Sequence, residues 1–363
     1  MRILVFNWKD IKHPYAGGAE VNIHEQAKIW IKQGHKVTQF SPRFKNCKNF
    51  EIVDGVNIMR KGGRYSLYLW SPIYYLLRLR KEVDVVIDIE NGIPFFTPLY
   101  VRKPILGIMH HVHQDVFFKE LFFLFAWIPY LMEKYMHLFY KNIKFIAVSN
   151  TTKTEMIKRL NFSKDQIEVV YNGLNNKFYS NAKKTKFPSI LYFGRLMKYK
   201  RIDLLIDVFS NVLRHVPDAK LFIAGSGIVE DELKSKVRKI NLSDKIIFYG
   251  FVSEKEKINL IKGSWIFANP SSMEGWGVTV IETNSLGVPA VVFDVPGLRE
   301  SVKNNETGFV VNNADQMVNK IISLLTKKTL RNKFGKNAIQ WSKNFSWDKT
   351  AENTLKILND LTK

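Results

Sequence analysis

The chain alternates short apolar runs with helix-patterned segments, breaks that rhythm once, and then resumes it. "RILVFNW" (2–8) reads as a strand, and the stretch from Gly17 as an amphipathic helix stopping at Gly34, a residue suited to a C-cap. "HKVTQFS", "VDVVIDI", "PILGIMH" and "KFIAVS" follow as short buried strands. "NGLNNKFYSNAKKTKFP" (172–188) is polar, lysine-rich and ends in proline, which suits a linker. After it come the strands "SILYFGR", "AKLFIAG", "KIIFYG", "WIFANPS" and "AVVFDV", with helical stretches between them. Parallel strands need crossovers, so two successive βα series predict an α/β chain with two doubly wound parallel sheets, helices on both faces. The expected boundaries are a first domain over 1–171, a linker over 172–188, a second domain over 189–345 and a last helix over 346–363. That helix is capped near Ser346, with Trp347 and Leu355 as packing residues. Ligands of such sheets sit at the carboxyl ends of the strands, which makes the cleft between two such domains the expected site.

Length and composition agree with this division. A chain of 363 residues allows two domains that each bury a core, and its 46% hydrophobic content excludes a disordered chain. No run of 18 apolar residues and no fixed-period repeat is present, which argues against a membrane-spanning helix and a solenoid. The opening "MRILVFNWKDIKHP" has too short an apolar run for a signal peptide, and the single cysteine, Cys47, cannot form an internal disulfide. A cytoplasmic protein is expected. Lys and Arg number 55 against 33 Asp and Glu, a net charge of +22 that attracts nucleic acid, an anionic membrane surface or a phosphorylated ligand. The lysines are scattered and no nucleic-acid module accompanies them, so membrane and phosphate weigh above nucleic acid.

"SSMEGWGVTVIETNSLGVPAVV" (271–292) carries Glu274 and Glu282 on either side of a glycine-bearing segment. A helix starting near Gly277 leaves the amides of Gly277, Val278 and Thr279 free for an anion, with the helix dipole behind them. Glu282 then lies one turn inside, on the face shared with Thr279, and Glu274 in the preceding loop. A glycosidase pair sits about 5–9.5 Å apart, whereas eight helical residues span roughly 12 Å, so a hydrolase pair is disfavoured.

This segment, an E-x7-E followed by E-x-x-x-x-G-x-P-x-V, resembles the hallmark of the retaining glycosyltransferases of GT-B fold in the large glycosyltransferase family four. "GGAE", "VSNTTK", "VVYNG", "YFGRLMKYKRIDLLI", "FIAGSG" and "IIFYGFVSEKE" match in the same order, so the resemblance spans nearly the whole chain. It implies two Rossmann-like domains facing each other across a cleft, with the C-terminal helix returning to the first. Arg195 and Lys200 match the basic pair that holds the nucleotide diphosphate, a role their charge suits because the leaving group gains charge at the transition state. Glu282 matches the acid on the ribose, Glu274 the acid facing the donor sugar, Val278 and Thr279 the backbone phosphate contacts, and Phe251 and Val252 the segment lining the base. In the first domain His110 of "GIMHHVHQD" matches the histidine near the reacting sugar, with His111 and His113 leaving its register open. Gly17 and Gly18 read equally as a turn into the first helix or as a close approach to a phosphate or acceptor. The histidine spacing is a poor match to common zinc patterns.

The resemblance implies transfer of a hexosyl group from a nucleotide-diphosphate sugar, a substrate and not a cofactor, to an acceptor hydroxyl on a glycan or lipid-linked glycoconjugate. No metal or cofactor is expected, since "DIE" (88–90) falls inside a strand. The retaining chemistry it implies is a front-face reaction with a phosphate oxygen taking the acceptor proton. A nucleotide-sugar epimerase of the same fold is the alternative enzyme. A nicotinamide dehydrogenase is disfavoured because "GSGIVE" (225–230) has Glu230 where a third glycine belongs, and a nucleic-acid-binding protein leaves the glutamates unexplained. The aromatic-rich stretch 116–144, with Lys134, Lys141 and Lys144 toward one end, reads equally as a helix in an anionic membrane interface and as a helix pair buried on the first sheet.

Overall fold

In the computed structural model, which describes residues 1–174 and 183–363, the chain divides into two compact units, Met1–Gly173 with Ser346–Lys363, and Leu174–Phe345. The first is built on β1 (Arg2–Phe6), β2 (Lys36–Ser41), β3 (Phe50–Val53), β4 (Val56–Arg60), β5 (Val85–Glu90), β6 (Ile105–Met109), β7 (Lys144–Ala147) and β8 (Ile167–Val169). Their order across the sheet is β3-β4-β2-β1-β5-β6-β7-β8, and every neighbouring pair is parallel except β3 with β4. The antiparallel pair turns at Asp54 and Gly55, both at positive φ. Chain order reverses direction between β1 and β5, so loops leaving those two strands diverge there.

The second unit holds β9 (Ser189–Phe193), β10 (Lys220–Ala224), β11 (Ile246–Gly250), β12 (Ile266–Asn269), β13 (Ala290–Phe293) and β14 (Gly308–Val311), in the order β11-β10-β9-β12-β13-β14. All pairs are parallel, and the central strands are fully buried runs, as a sheet covered on both faces requires. Here the switch point lies between β9 and β12.

The last helix, Trp347–Thr362, begins where Ser346 accepts a hydrogen bond from the Lys349 amide and belongs to the first unit. Ala351 and Leu358 join the cluster of Ile3, Val5 and Val85, Trp30 Nε1 donates to Ala351 O at 3.0 Å, and Thr350 Oγ1 donates to Tyr171 O at 2.8 Å. Of the linker expected over 172–188, residues 175–182 lie outside the described residues. Its described end is packed, with Trp265 Nε1 donating to Thr185 O at 3.0 Å and Phe187 set against the apolar cluster of the second unit.

Over 116–144 the structure has short helices at Asp115–Glu120 and Phe123–Tyr135. Phe122, Phe123, Leu124, Phe125 and Ile128 are exposed, while Ala126, Pro129 and Glu133 face inward. Lys144 does not close a helix; it opens β7, and its ammonium donates to Asp165 O. Among the described residues no helix is long and apolar enough to cross a membrane.

Candidate active site

Every residue singled out in the second unit lies in a loop or helix that follows a strand's carboxyl end. Arg195 and Lys200 follow β9, Phe251 and Val252 follow β11, and Glu274 follows β12, so the switch point between β9 and β12 has the basic pair on one side and the acid on the other. The loops after β9 and β12 are tied together: Ser272 N donates to Tyr199 O at 2.8 Å, and the Ser272 hydroxyl donates to the same carbonyl at 3.0 Å. Lys200 Nζ reaches Glu274 Oε1 at 2.5 Å, both side chains being only 12% and 17% exposed, and Asn269 Nδ2 donates to the same oxygen at 3.3 Å. Arg195 Nη2 donates to the Tyr199 hydroxyl at 3.1 Å.

The helix after this loop spans Val278–Ser285, with Gly277 at φ 75° as its N-cap. Only glycine takes that conformation cheaply, and a Cβ there would come within 2.8 Å of Ser301 Oγ and 2.9 Å of Leu298 Cδ2. The first intrahelical bond to the cap is donated by Val280, so the Val278 and Thr279 amides stand at the open, electropositive end.

Glu282, one turn on, does not stand alone in solvent. Lys257, from the helix Glu254–Gly263, holds Glu282 Oε1 at 2.7 Å and Glu254 Oε2 at 2.9 Å. Burial pushes the Glu282 carboxyl above its ordinary range and Lys257 pulls it back down. Burial also works to lower the Lys257 ammonium, yet Glu282 and Glu254 together carry it above its usual value. Sequence reasoning missed Lys257; the one signal was its place in "VSEKEK", five residues beyond Val252 and in the first turn of a helix capped by Ser253. Phe251 is 87% exposed, while Val252 packs against the cluster of Phe193 and Leu298.

The glycines of "FIAGSG" have a structural duty unrelated to a dinucleotide. A Cβ on Gly225 would lie 2.0 Å from Gly194 O and one on Gly227 2.2 Å from Leu196 O, so these glycines let the loops after β9 and β10 touch backbone to backbone. Leu196 N donates to Ser226 O at 2.9 Å across that contact, which fixes the loop that carries Arg195.

In the first unit, Gly17 caps the helix Gly18–Lys32 and donates its amide to Glu20 Oε2 at 2.6 Å. A Cβ on Gly18 would meet nothing within 4 Å, so its space is open. His110 lies just past β6, 5% exposed, with Nε2 buried and lacking a hydrogen-bond partner. Burial, helped by His113, pushes its imidazole down to about 4, so it is neutral at physiological pH. His113 is engaged elsewhere: its amide donates to Glu133 at 2.8 Å and its ring stacks on Phe117. Among the described residues no three metal-binding side chains converge.

"DIE" does sit inside β5, and both acids are buried. Asp88 Oδ2 accepts from Thr97 at 2.5 Å and from Tyr140 at 2.7 Å, which commits the only proton of Tyr140 and leaves both Glu90 oxygens without a partner. Burial and the neighbouring Asp88 hold the Glu90 carboxyl well above its usual range.

Residues 16–178 match the family described as Glycosyltransferase Family 4, and residues 175–341 the one described as Glycosyl transferases group 1. An uncharacterized glycosyltransferase of Methanocaldococcus jannaschii is 31% identical over 98% of this chain and 97% of its own. The phosphatidylinositol N-acetylglucosaminyltransferase GPI3 subunit of Saccharomyces cerevisiae is 22% identical over 97% and 82%. Among solved structures, sucrose-phosphate synthase from Thermosynechococcus elongatus superposes with a TM-score of 0.82 at 18% identity, covering 99% of this chain and 98% of that one. An Anabaena protein solved in complex with UDP and glucose gives 0.76 at 18%, covering 99% and 100%. With two parallel-sheet Rossmann-like units and these matches along its length, the chain belongs to the GT-B-fold glycosyltransferases of family four.

Proposed function

We propose that the protein is a retaining, metal-independent hexosyltransferase that uses a nucleotide-diphosphate sugar, and that its second unit binds that sugar donor. The observation that carries this reading is the grouping at the β9/β12 switch point of Arg195, Lys200, Glu274 and the open helix start at Gly277. The diphosphate takes hydrogen bonds from the Val278 and Thr279 amides and charge from Arg195 and Lys200. Lys200 has three N–H donors and can hold Glu274 and a phosphate oxygen together. Glu282, kept ready by Lys257, accepts from the ribose hydroxyls, and Glu274 from hydroxyls of the sugar. Phe251 and Val252 cover the base.

The chemistry asked of these groups is electrostatic. As the bond between the anomeric carbon and the phosphate oxygen breaks, the diphosphate gains charge, and cations and helix amides already in place stabilise it. The acceptor oxygen bonds to the anomeric carbon on the same face, and its proton passes to the departing phosphate oxygen. Neutral His110, in the first unit, takes or gives a hydrogen bond to a sugar hydroxyl. The acceptor is a glycan or lipid-linked glycoconjugate at an anionic membrane surface. That part of the proposal draws on the net charge of +22, on the exposed aromatic face of the helix Phe123–Tyr135, and on the phosphatidylinositol in the yeast relative's name.

The test is a screen of nucleotide sugars with and without EDTA, followed by proton NMR of the anomeric centre. Release of a nucleoside diphosphate, an unchanged anomeric configuration and activity in the chelator are expected. Inversion, or conversion of one nucleotide sugar into another without release of diphosphate, would contradict the reading.

A further inference from the structure

The loops that leave β2 and β4, neighbouring parallel strands of the first unit, border an open surface cavity lined by Arg43, Phe44, Lys45, Asn46, Lys61, Gly62 and Gly63. Three of these are cations and none is an acid. The arrangement is fixed by backbone. Ser41 pairs with Arg60 across the two strands, Lys61 N donates to Ser41 O at 3.0 Å, and Arg43 N donates to Gly62 O at 2.8 Å, so the two basic segments are bonded side by side. Gly62 is at φ 71°, where a Cβ would come within 2.8 Å of Trp70 Cδ1, so the turn lies flat on the following helix. Lys61 is held over Trp70, its ammonium 4.8 Å from the ring centroid.

The carboxylates of the adjoining segments do not neutralise this charge. Asp10 accepts from Arg60 Nε at 2.6 Å and Nη2 at 2.8 Å, and Glu51 lies 2.6 Å from Arg60 Nη1, so the buried Arg60 takes both. Three cationic residues line this open cavity with no acid among the lining residues, and such an excess of positive charge favours an anion with several oxygens. A guanidinium fork and two ammonium groups drawn from one such lining suit a phosphate better than a single carboxylate.

From this arrangement we infer that the cavity binds a phosphate group of the acceptor, as a phosphomonoester or a phosphodiester. The inference rests on the glycosyl-transfer reading, because it assigns the anion to the substrate that receives the sugar. The carboxyl ends of β2 and β4 are on the ligand-binding edge of this sheet, as expected of an acceptor subsite.

Calorimetric titration of the full chain with glycerol 3-phosphate at low salt tests it. A parallel arm measures binding to phosphatidylcholine vesicles with and without phosphatidylinositol. The triple variant Arg43→Gln/Lys45→Gln/Lys61→Gln should lose at least about tenfold in affinity. Lys239→Gln/Lys336→Gln, which removes two exposed lysines of the other unit, should bind as the native chain does. Hydrolysis of the sugar donor without acceptor should survive in both variants, which separates failure of this subsite from failure of the donor site. Binding of glycerol 3-phosphate with loss in the triple variant identifies a small phosphate head as sufficient. Binding confined to phosphatidylinositol vesicles, with the same loss, identifies a lipid headgroup; either supports the subsite. The single variant Lys45→Gln, at an exposed position, gives the same direction of change should the triple variant fold poorly. No binding in either arm, or equal binding by the native chain and the triple variant, overturns the inference. So does duplex DNA that binds as tightly as the vesicles with the same loss, since that marks a general polyanion surface.

Discussion

Gly297→Ala strikes the donor site without removing any charged group. Gly297 lies at φ 82° and ψ −50°, and a Cβ built there falls 2.5 Å from Glu274 O, 2.6 Å from Gly275 C and 2.6 Å from Trp276 N. All three are backbone atoms, so no flexible side chain can swing aside. Positive-φ strain costs of order 1–3 kcal/mol, and forcing a methyl into occupied space about 1–3 kcal/mol more. The sum is about 4 kcal/mol, carried by a unit that runs from Leu174 to Phe345. For a unit of this size each kcal/mol moves the melting temperature by about 2–4 °C, so a drop near 10 °C is expected. The loop that yields is the one presenting Glu274 to Lys200, so kcat/KM for the sugar donor should fall as well. Circular dichroism melts of the full chain, read for two transitions, and donor turnover are the assays. Gly18→Ala is the control, because its Cβ meets nothing within 4 Å and the melt should not move down. A Gly297→Ala protein that melts and turns over as the native chain does would refute the reasoning.

Lys257→Met leaves burial of Glu282 unopposed, so its carboxyl rises further above the ordinary range. If the carboxylate form binds ribose, the acid limb of kcat/KM for the sugar donor should move to higher pH, and an unmoved limb would contradict that role. Glu90 keeps a proton in the folded chain above the pH at which the unfolded chain has lost it, so this group's contribution to stability declines as pH rises through that window. Glu90→Gln should remove that group's part of the slope and raise the urea midpoint at pH 8 above that of the native chain; a midpoint equal to or below the native one there would count against it. Replacing the exposed Phe122, Phe123 and Trp127 by serine should leave the melting temperature in place while weakening binding to acidic vesicles, which salt should weaken further. Unfolding of that variant would show the residues to be core.

The sheets were legible because their strands are buried on both faces and read as unbroken apolar runs, from "RILVFNW" to "AVVFDV". The β3–β4 hairpin was not, although its Asp54-Gly55 turn is a strong local signal, because the flanking "FEIV" and "VNIMR" are half-exposed and short. The phosphate-ready start of the 278–285 helix was readable from Gly277 and the spacing of the acids. The partners those acids take were not, since Lys200 and Lys257 reach them from segments 74 and 25 residues away. Gly225 and Gly227, which fall short of a dinucleotide fingerprint in sequence, serve a loop-on-loop contact that only the third dimension reveals. The orphaned Glu90 is likewise invisible in sequence, because its isolation depends on which acid Tyr140 chooses.

Titration of a panel of nucleoside diphosphates into the native chain and into Arg195→Ala/Lys200→Ala tests the central claim most directly. Two charge-assisted contacts to a diphosphate are each worth about 1.5–3 kcal/mol, so the double variant should bind at least about a hundredfold more weakly while keeping its melting temperature. An unchanged dissociation constant in a folded double variant would contradict the assignment of the second unit's switch point as the nucleotide-sugar site.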